Sequence, residues 1–306
     1  MKISLFIPTY NALSNHNHDR FITTLDIIKQ ADLYRVLIID SSSTDNTIGI
    51  VNSHGFECKV IPKKEFDHSG TRQLALTMLS DSDIIIYMSQ DALIVDVESL
   101  NRLVEPFHAN QFIAATYGRQ LPHSNADIFA RHLRGFNYGK KNYIRSYADR
   151  YVWGMRCVFN SDSFAAYNVD ALQHIGGFPL RLIFGEDMYV SAKLLLANYK
   201  VAYVADAICY HSHNFCIRDE FKRSFDTGVF HRSENWILRD FGYPNKLGIK
   251  LVLSEWRTLL FSRPWLLPKS YIRICAKYFG YKLGYNYDKI GVRLCRKFSM
   301  NSSFWW

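Results

Sequence analysis

Short runs of apolar, largely β-branched residues recur along the first part of this chain: Ile3 to Ile7, Val36 to Ile39, Glu57 to Ile61, Ile84 to Met88 and Phe112 to Tyr117. Runs this brief with little polar alternation predict strands covered on both faces, as in a parallel sheet sandwiched between helices. Between them the apolar positions change to helical spacing, at Ile22, Leu25 and Ile28, at Ile48 and Val51, at Leu74 and Met78, and over Val97 to Phe107. Strands alternating with helices in this way predict a doubly wound α/β sheet. The pattern weakens over 123–150, a stretch rich in His, Arg, Asn and Tyr, which reads as a long irregular segment with an acceptor-binding or lid role. It resumes at Val158 to Tyr167. A helix to His174 follows, stopped by Gly176-Gly177, and then a helix opened by Gly185-Glu186-Asp187-Met188. Val201 to Val204 and Ile208 to Tyr210 complete the set as two short strands.

The strands end in polar residues, and candidate chemistry collects there. In an open α/β sheet the crevice beyond the carboxyl ends of the strands is where ligands bind. Ile7 is followed by Pro8-Thr9-Tyr10-Asn11, Ile39 by Asp40-Ser41-Ser42-Ser43-Thr44-Asp45, and Met88 by Ser89-Gln90-Asp91. Asp45 or Thr44 suffices to cap the helix after the second strand, which leaves Asp40 free to receive a donor from a ligand. Asp91 is either a turn or cap residue or a carboxylate turned into the crevice. Arg72, in the first turn of the helix opened by Gly70 and Thr71, is within reach of an anion at that helix N-terminus. Glu186 and Asp187 stabilise a helix dipole, and adjacent carboxylates after a glycine also present a base to a cleft. His211, just past a strand end, is placed to complete a hard-metal site with Asp91.

Composition narrows the alternatives. With 306 residues, 48% apolar and 21% charged, the chain is a folded globular protein rather than a disordered one. Its six cysteines contain no C-x-x-C pair, which predicts reduced thiols in a cytosolic setting. Neither a signal peptide nor an apolar run long enough to span a membrane is visible. No G-x-G-x-x-G follows the first strand and no Walker loop occurs, so a nucleotide is held by other means. Of the formal charge of +9, the whole excess lies in 231–306, where 14 basic residues face 4 acidic ones alongside five of the six tryptophans. Alternation of Lys and Arg with apolar and aromatic residues over Leu247 to Phe261, Pro264-Trp265 and Tyr271 to Tyr285 predicts helices lying in an anionic membrane interface. The expected division is therefore a domain over 1–230, split near 92/93 into nucleotide and acceptor halves, and a helical membrane-associating region over 231–306.

Taken together, Ile7-Pro8-Thr9-Tyr10-Asn11, Asp40 to Asp45, His68-Ser69-Gly70-Thr71-Arg72, Gln90-Asp91-Ala92, Tyr117 to Pro122, Gly185-Glu186-Asp187 and His211-Ser212-His213-Asn214 resemble the family-2 inverting glycosyltransferases. Asn160 to Tyr167, Glu220 to His231 and Lys297 to Met300 extend the resemblance to the bacterial rhamnosyltransferases that build O-antigen and other surface polysaccharides of lipopolysaccharide type. The resemblance implies a GT-A fold, Rossmann-like with a mostly parallel sheet, followed by the basic, aromatic helical extension. It implies that Thr9, Asn11, Asp40, Ser42, Arg72 and Gln90 hold the nucleotide and diphosphate of the donor, expected to be dTDP-L-rhamnose. Asp91 and His211 would bind a divalent Mg or Mn ion, and Asp187 would be the catalytic base with Glu186 beside it. The implied acceptor is a polyprenol-diphosphate-linked saccharide, met at the cytoplasmic face of the inner membrane. Two departures stand out: the family's D-x-D is reduced to Gln90-Asp91-Ala92, and Ser69 and Gln73 replace an expected Gly and Asn. A UDP- or GDP-sugar such as galactose or a hexosamine is the alternative donor. Nucleic-acid binding is not expected, because acidic residues and histidines gather at the strand ends of an otherwise neutral body.

Overall fold

The computed structural model describes residues 1–14 and 18–305, with the side chain of Asn245 set aside; Trp306 lies outside the described residues. The apolar runs become strands β1 (Ile3–Thr9), β2 (Arg35–Asp40), β3 (Glu57–Val60) and β4 (Ile84–Met88). Helices α1 (His18–Lys29), α2 (Thr47–Ser53) and α3 (His68–Met78) connect them. The strands lie side by side in the order β3-β2-β1-β4, all parallel. Successive residues face two different cores. Phe6, Leu37, Ile39, Ile85 and Tyr87 pack into one, while Leu5, Ile7, Ile38, Ile84, Ile86 and Met88 pack into the other. Burial on both faces is why these runs lack polar alternation, and each such side chain contributes about 1.5–3 kcal/mol of transfer free energy.

Beyond β4 come β5 (Leu93–Ile94), α4 (Val97–Ala109), β6 (Ile113–Leu121), α5 (Ile128–Asn137), β7 (Tyr143–Arg145), α6 (Arg150–Trp153), β8 (Phe164–Asn168), α7 (Val169–His174), α8 (Glu186–Leu196) and β9 (Lys200–Tyr210). Here the sheet is mixed. β8 runs antiparallel between β4 and β6, β9 runs parallel to β6, and β5 and β7 pair antiparallel with β9. The parallel expectation therefore holds throughout the nucleotide half and, beyond it, for β6 with β9 alone, because an apolar run reports burial and carries no sign of direction. The two strands expected around 201–210 are one, interrupted where the register against β6 jumps from Gly118↔Val204 to Arg119↔Ile208. The stretch 123–150 is also more regular than its sequence suggests. It contains α5, whose N-cap Asp127 accepts from the Ala130 N–H and which places Ile128, Phe129, Leu133 and Phe136 at helical spacing, with Phe129 and Ala130 buried.

The chain closes with α9 (Ile217–Ser233), α10 (Asn235–Phe241), α11 (Asn245–Ser262), α12 (Leu267–Tyr285) and α13 (Val292–Phe298). A boundary at 230/231 falls inside α9, and Ile237, Leu238, Phe241, Cys295 and Trp305 are part of the larger core. The extension is thus built onto the α/β domain. Its α12 crosses α9 at glycines: a Cβ on Gly280 or Gly284 would run into the carbonyl oxygens of Phe221 and Phe225, and one on Gly228 into that of Tyr281. Among the described residues no helix is long and apolar enough to cross a membrane.

Candidate active site

The loops after β1, β2 and β4 are laced together by the residues expected to hold a nucleotide. Asp40 is fully buried; it accepts from the Thr9 hydroxyl at 2.7 Å, the Ser43 hydroxyl at 2.6 Å and the Ser43 N–H at 2.7 Å. Its lone pairs thus shape the two loops. The Asn11 side-chain oxygen accepts from the Thr44 N–H at 2.8 Å, and Ser42 donates to the Ile61 carbonyl at 2.8 Å. Asn11 and Ser42 both take left-handed backbone conformations, φ 46° and 60°, an uncommon state held here by these bonds. Gln90 clasps the Tyr10 backbone, accepting from its N–H at 2.8 Å and donating to its carbonyl at 3.2 Å. Thr9, Asn11, Asp40, Ser42 and Gln90 therefore come together at one end of the parallel strands.

Asp91 follows on the turn between β4 and β5. Because β5 pairs with the end of β9, Leu93 opposite Tyr210, the turn lies against the residues that leave β9. The Asp91 carboxylate stands 3.5 Å from His211 Nε2 and 3.6 Å from His213 Nε2. Two ligands each about 2.1 Å from one ion are separated by about 3.0–3.4 Å at octahedral or tetrahedral angles, so the three side chains fit a single divalent cation. The Gln120 Oε1 lies 2.9 Å from His211 Nδ1, where it accepts a hydrogen bond from that nitrogen's N–H and leaves the Nε2 lone pair facing Asp91. Gln120 is in turn fixed by Arg134, which donates to the same oxygen at 2.5 Å, and by Ser161, which accepts from its amide at 2.8 Å. His213 stacks on Phe215, ring centroids 5.1 Å apart. Burial raises the Asp91 carboxyl, but the two imidazoles and the Ser89 hydroxyl outweigh it and hold the group far below the usual carboxylate range.

A third cluster surrounds Arg72. The helix carrying it starts two residues earlier than expected, at His68, and its N-terminus is closed by Asp67, which accepts from the Gly70 N–H at 2.6 Å. Arg72 is consequently buried a turn further in. Its guanidinium pairs with Asp162 at 2.8 Å and Glu186 at 3.1 Å, facing carboxylates rather than an open anion site. Asp162 reaches this place because antiparallel β8 begins where β4 ends; it also accepts from the Tyr167 hydroxyl at 2.5 Å. Gly185, at φ 83°, turns the chain into α8 and sets Glu186 and Asp187 in its first turn. Burial raises Glu186, but Arg72 and His68 bring it below its ordinary value. On Asp187, burial together with the charges of Asp162 and Glu186 outweighs the Met188 N–H and Arg72 and pushes it up to about 8. Burial also raises Asp162, to about 6, against the pull of Arg72. The arrangement gathers three acids around one arginine and leaves Asp187 poised to take or hold a proton near neutral pH.

His213, Gln120, Asp162 and Arg223 carry no role in the residue pattern alone. His213 had a visible signal, since two residues along an extended chain return to the same side as His211. Gln120 and Asp162 lie in stretches that carry the family resemblance, Tyr117 to Pro122 and Asn160 to Tyr167, but their place at the site comes only from strand pairing. Arg223 lies over the Phe184 ring at 4.2 Å, and its charge bears on Asp187 and Glu186.

Comparison with known proteins bears on the fold and the chemistry. The model of the family described as glycosyl transferase family 2 matches residues 4–176. The chain is 43% identical over 308 residues to the O-antigen chain rhamnosyltransferase RfbN of Salmonella typhimurium strain LT2, covering 100% of this chain and 96% of that protein. It is 40% identical over 302 residues to the O-antigen chain rhamnosyltransferase WbaN of Salmonella anatum, covering 99% and 95%. Among solved structures, the mannosyltransferase PcManGT from Pyrobaculum calidifontis, in complex with GDP-Man and Mn2+, superposes with a TM-score of 0.56 at 17% identity, covering 99% of this chain and 84% of that one. The GT-A-like arrangement of a mixed sheet flanked by helices is shared with it.

Proposed function

Since the chain belongs to glycosyl transferase family 2 and is a glycosyltransferase, we propose that it moves L-rhamnose from dTDP-L-rhamnose to a polyprenol-diphosphate-linked saccharide during O-antigen assembly. The observation that carries the sugar is the full-length identity of 43% with an O-antigen chain rhamnosyltransferase. Thr9, Asn11, Ser42 and Gln90 shape the loops that receive the nucleoside, with Asp40 holding them from beneath. Asp91, His211 and His213 would hold a divalent ion, whose charge would help neutralise the phosphates of the nucleoside diphosphate leaving group. Two imidazoles favour a first-row ion such as Mn2+ over Mg2+, which prefers oxygen ligands.

Asp187 takes the proton of the acceptor hydroxyl as its oxygen attacks the anomeric carbon from the face opposite the diphosphate. The C–O bond to the nucleotide breaks as the new glycosidic bond forms, so the anomeric centre inverts and a β-L-donor gives an α-L-rhamnoside. Arg72 draws Asp162 and Glu186 toward their ionised forms, and their charges keep Asp187 basic. The apolar, basic face of α11 and α12 rests on an anionic membrane, bringing the lipid-linked acceptor to the site.

Calorimetric titration of dTDP, UDP and GDP, with and without Mn2+, into wild type and Asp91→Ala tests the donor and the ion together. The expected result is a Mn2+-dependent preference for dTDP that Asp91→Ala loses. Preference for UDP or GDP would replace rhamnose with another sugar, and a β-linked product by NMR would overturn inversion.

A further inference from the structure

Helix α9 carries a line of side chains away from the Asp187 carboxylate. Arg223, Thr227 and His231 recur at four-residue spacing, so they lie along one face, with His231 about 12 Å from Arg223. The far end of that line opens on a cavity of about 120 Å3. Its walls include Tyr143, Trp153 and Phe159 from the sheet side, Met188 next to Asp187, and Pro244 and Leu247 at the approach to α11. The cavity therefore lies between the carboxylate cluster and the exposed apolar helices.

The walls are mostly aromatic and apolar, with Asn137, Arg156, Thr227 and His231 as their polar members. His231 is 4% exposed and lines the cavity, yet its Nε2 has no hydrogen-bond partner, while Nδ1 lies 3.1 Å from the Tyr281 hydroxyl. A buried imidazole nitrogen left unpaired is destabilising, and an isoprenoid tail would leave it so. A pyranose would not. Its C–H face packs on aromatic rings, and its hydroxyls pair with polar groups set among them. Burial lowers the His231 imidazole to about 4, so it is neutral and able to accept or donate through Nε2 at physiological pH.

We propose that this cavity binds a pyranose of the acceptor glycan, packed against Trp153 and Tyr143 with a hydroxyl on His231 Nε2. The proposal rests on the glycosyltransferase reading of the site. It makes the enzyme read a sugar beyond the one it glycosylates, at a position about two helical turns along α9 from Arg223.

The test is saturation-transfer NMR on the full chain with the methyl glycosides of mannose, galactose, glucose, rhamnose and N-acetylglucosamine, and with farnesyl phosphate as the isoprenoid probe. At least one glycoside should bind. Its affinity should fall about tenfold in His231→Phe and in Trp153→Ala and be largely kept in His231→Gln, with dTDP binding unchanged in all three. Thermal unfolding checks that each variant folds, and Trp153→Ala carries the test if His231→Phe does not. Glycoside binding indifferent to these changes, no glycoside binding by a wild type that still binds nucleotide, or farnesyl phosphate binding lost in Trp153→Ala would each overturn the proposal. Failure of wild type to bind any nucleotide would instead overturn the transferase reading on which it stands.

Discussion

At the scale of single residues the site depends on how one arginine is shared among acids. Arg72, Asp162 and Glu186 are all nearly buried, and removing one partner of such a group leaves the others uncompensated. Arg72→Met should destabilise the protein by about 3–5 kcal/mol, measured by denaturant unfolding. Asp187 gives the opposite sign from most carboxylates. Its folded value of about 8 lies above the ordinary one, so the folded state holds a proton that the unfolded state has released between about 4 and 8. Its contribution to stability is fully present below the unfolded value and is lost as pH rises through that window. Asp187→Asn should flatten this slope in pH-dependent melting, and kcat/KM of the wild type should climb with pH toward about 8 as the base ionises. At the cation site, Gln120→Leu removes the acceptor that orients His211. It should weaken Mn2+ binding about 10–100-fold, read by calorimetry, with the fold intact.

At the scale of elements, the crossing of α9 and α12 ties the tail to the catalytic domain. Its closeness rests on glycines that let two helix backbones touch. Gly284→Ala should cost about 1–3 kcal/mol, since the added methyl meets the Phe225 carbonyl and a backbone must move. Gly248→Ala, on α11 where an added Cβ meets nothing, should be neutral or stabilise by about 0.5–1 kcal/mol through helix propensity. A thermal-melt comparison separates the two. The same scale shows where local pattern is silent: β8 enters against the run of its neighbours, and a strand's direction leaves no mark in local hydrophobicity.

At the scale of the whole molecule, one surface differs from the rest. Ile249, Leu253, Trp256 and Leu260 form an exposed stripe on α11, continued by Phe261 and Trp265 at the turn and by Ile272 and Phe279 on α12. Lys246, Lys250, Arg257, Arg263, Lys269 and Lys282 lie on the same two helices and the turn between them. This combination suits an interfacial helix pair rather than a solvated one. Replacing Leu253, Leu260, Phe261 and Trp265 by glutamate should abolish sedimentation with vesicles containing anionic lipid while leaving dTDP binding intact. Unchanged sedimentation would remove the membrane from the proposed function.

The order of strands and helices over the nucleotide half and the polar strand ends were written in the sequence, because each depends on near neighbours or on burial along a short run. The sharing of Arg72 between Asp162 and Glu186, the role of Gln120 behind His211, and the orphaned nitrogen of His231 were decided only by tertiary structure. Those contacts join residues far apart in the chain, through an antiparallel strand and a glycine-mediated helix crossing. Local pattern records how much of a segment is covered; it does not record which distant group covers it.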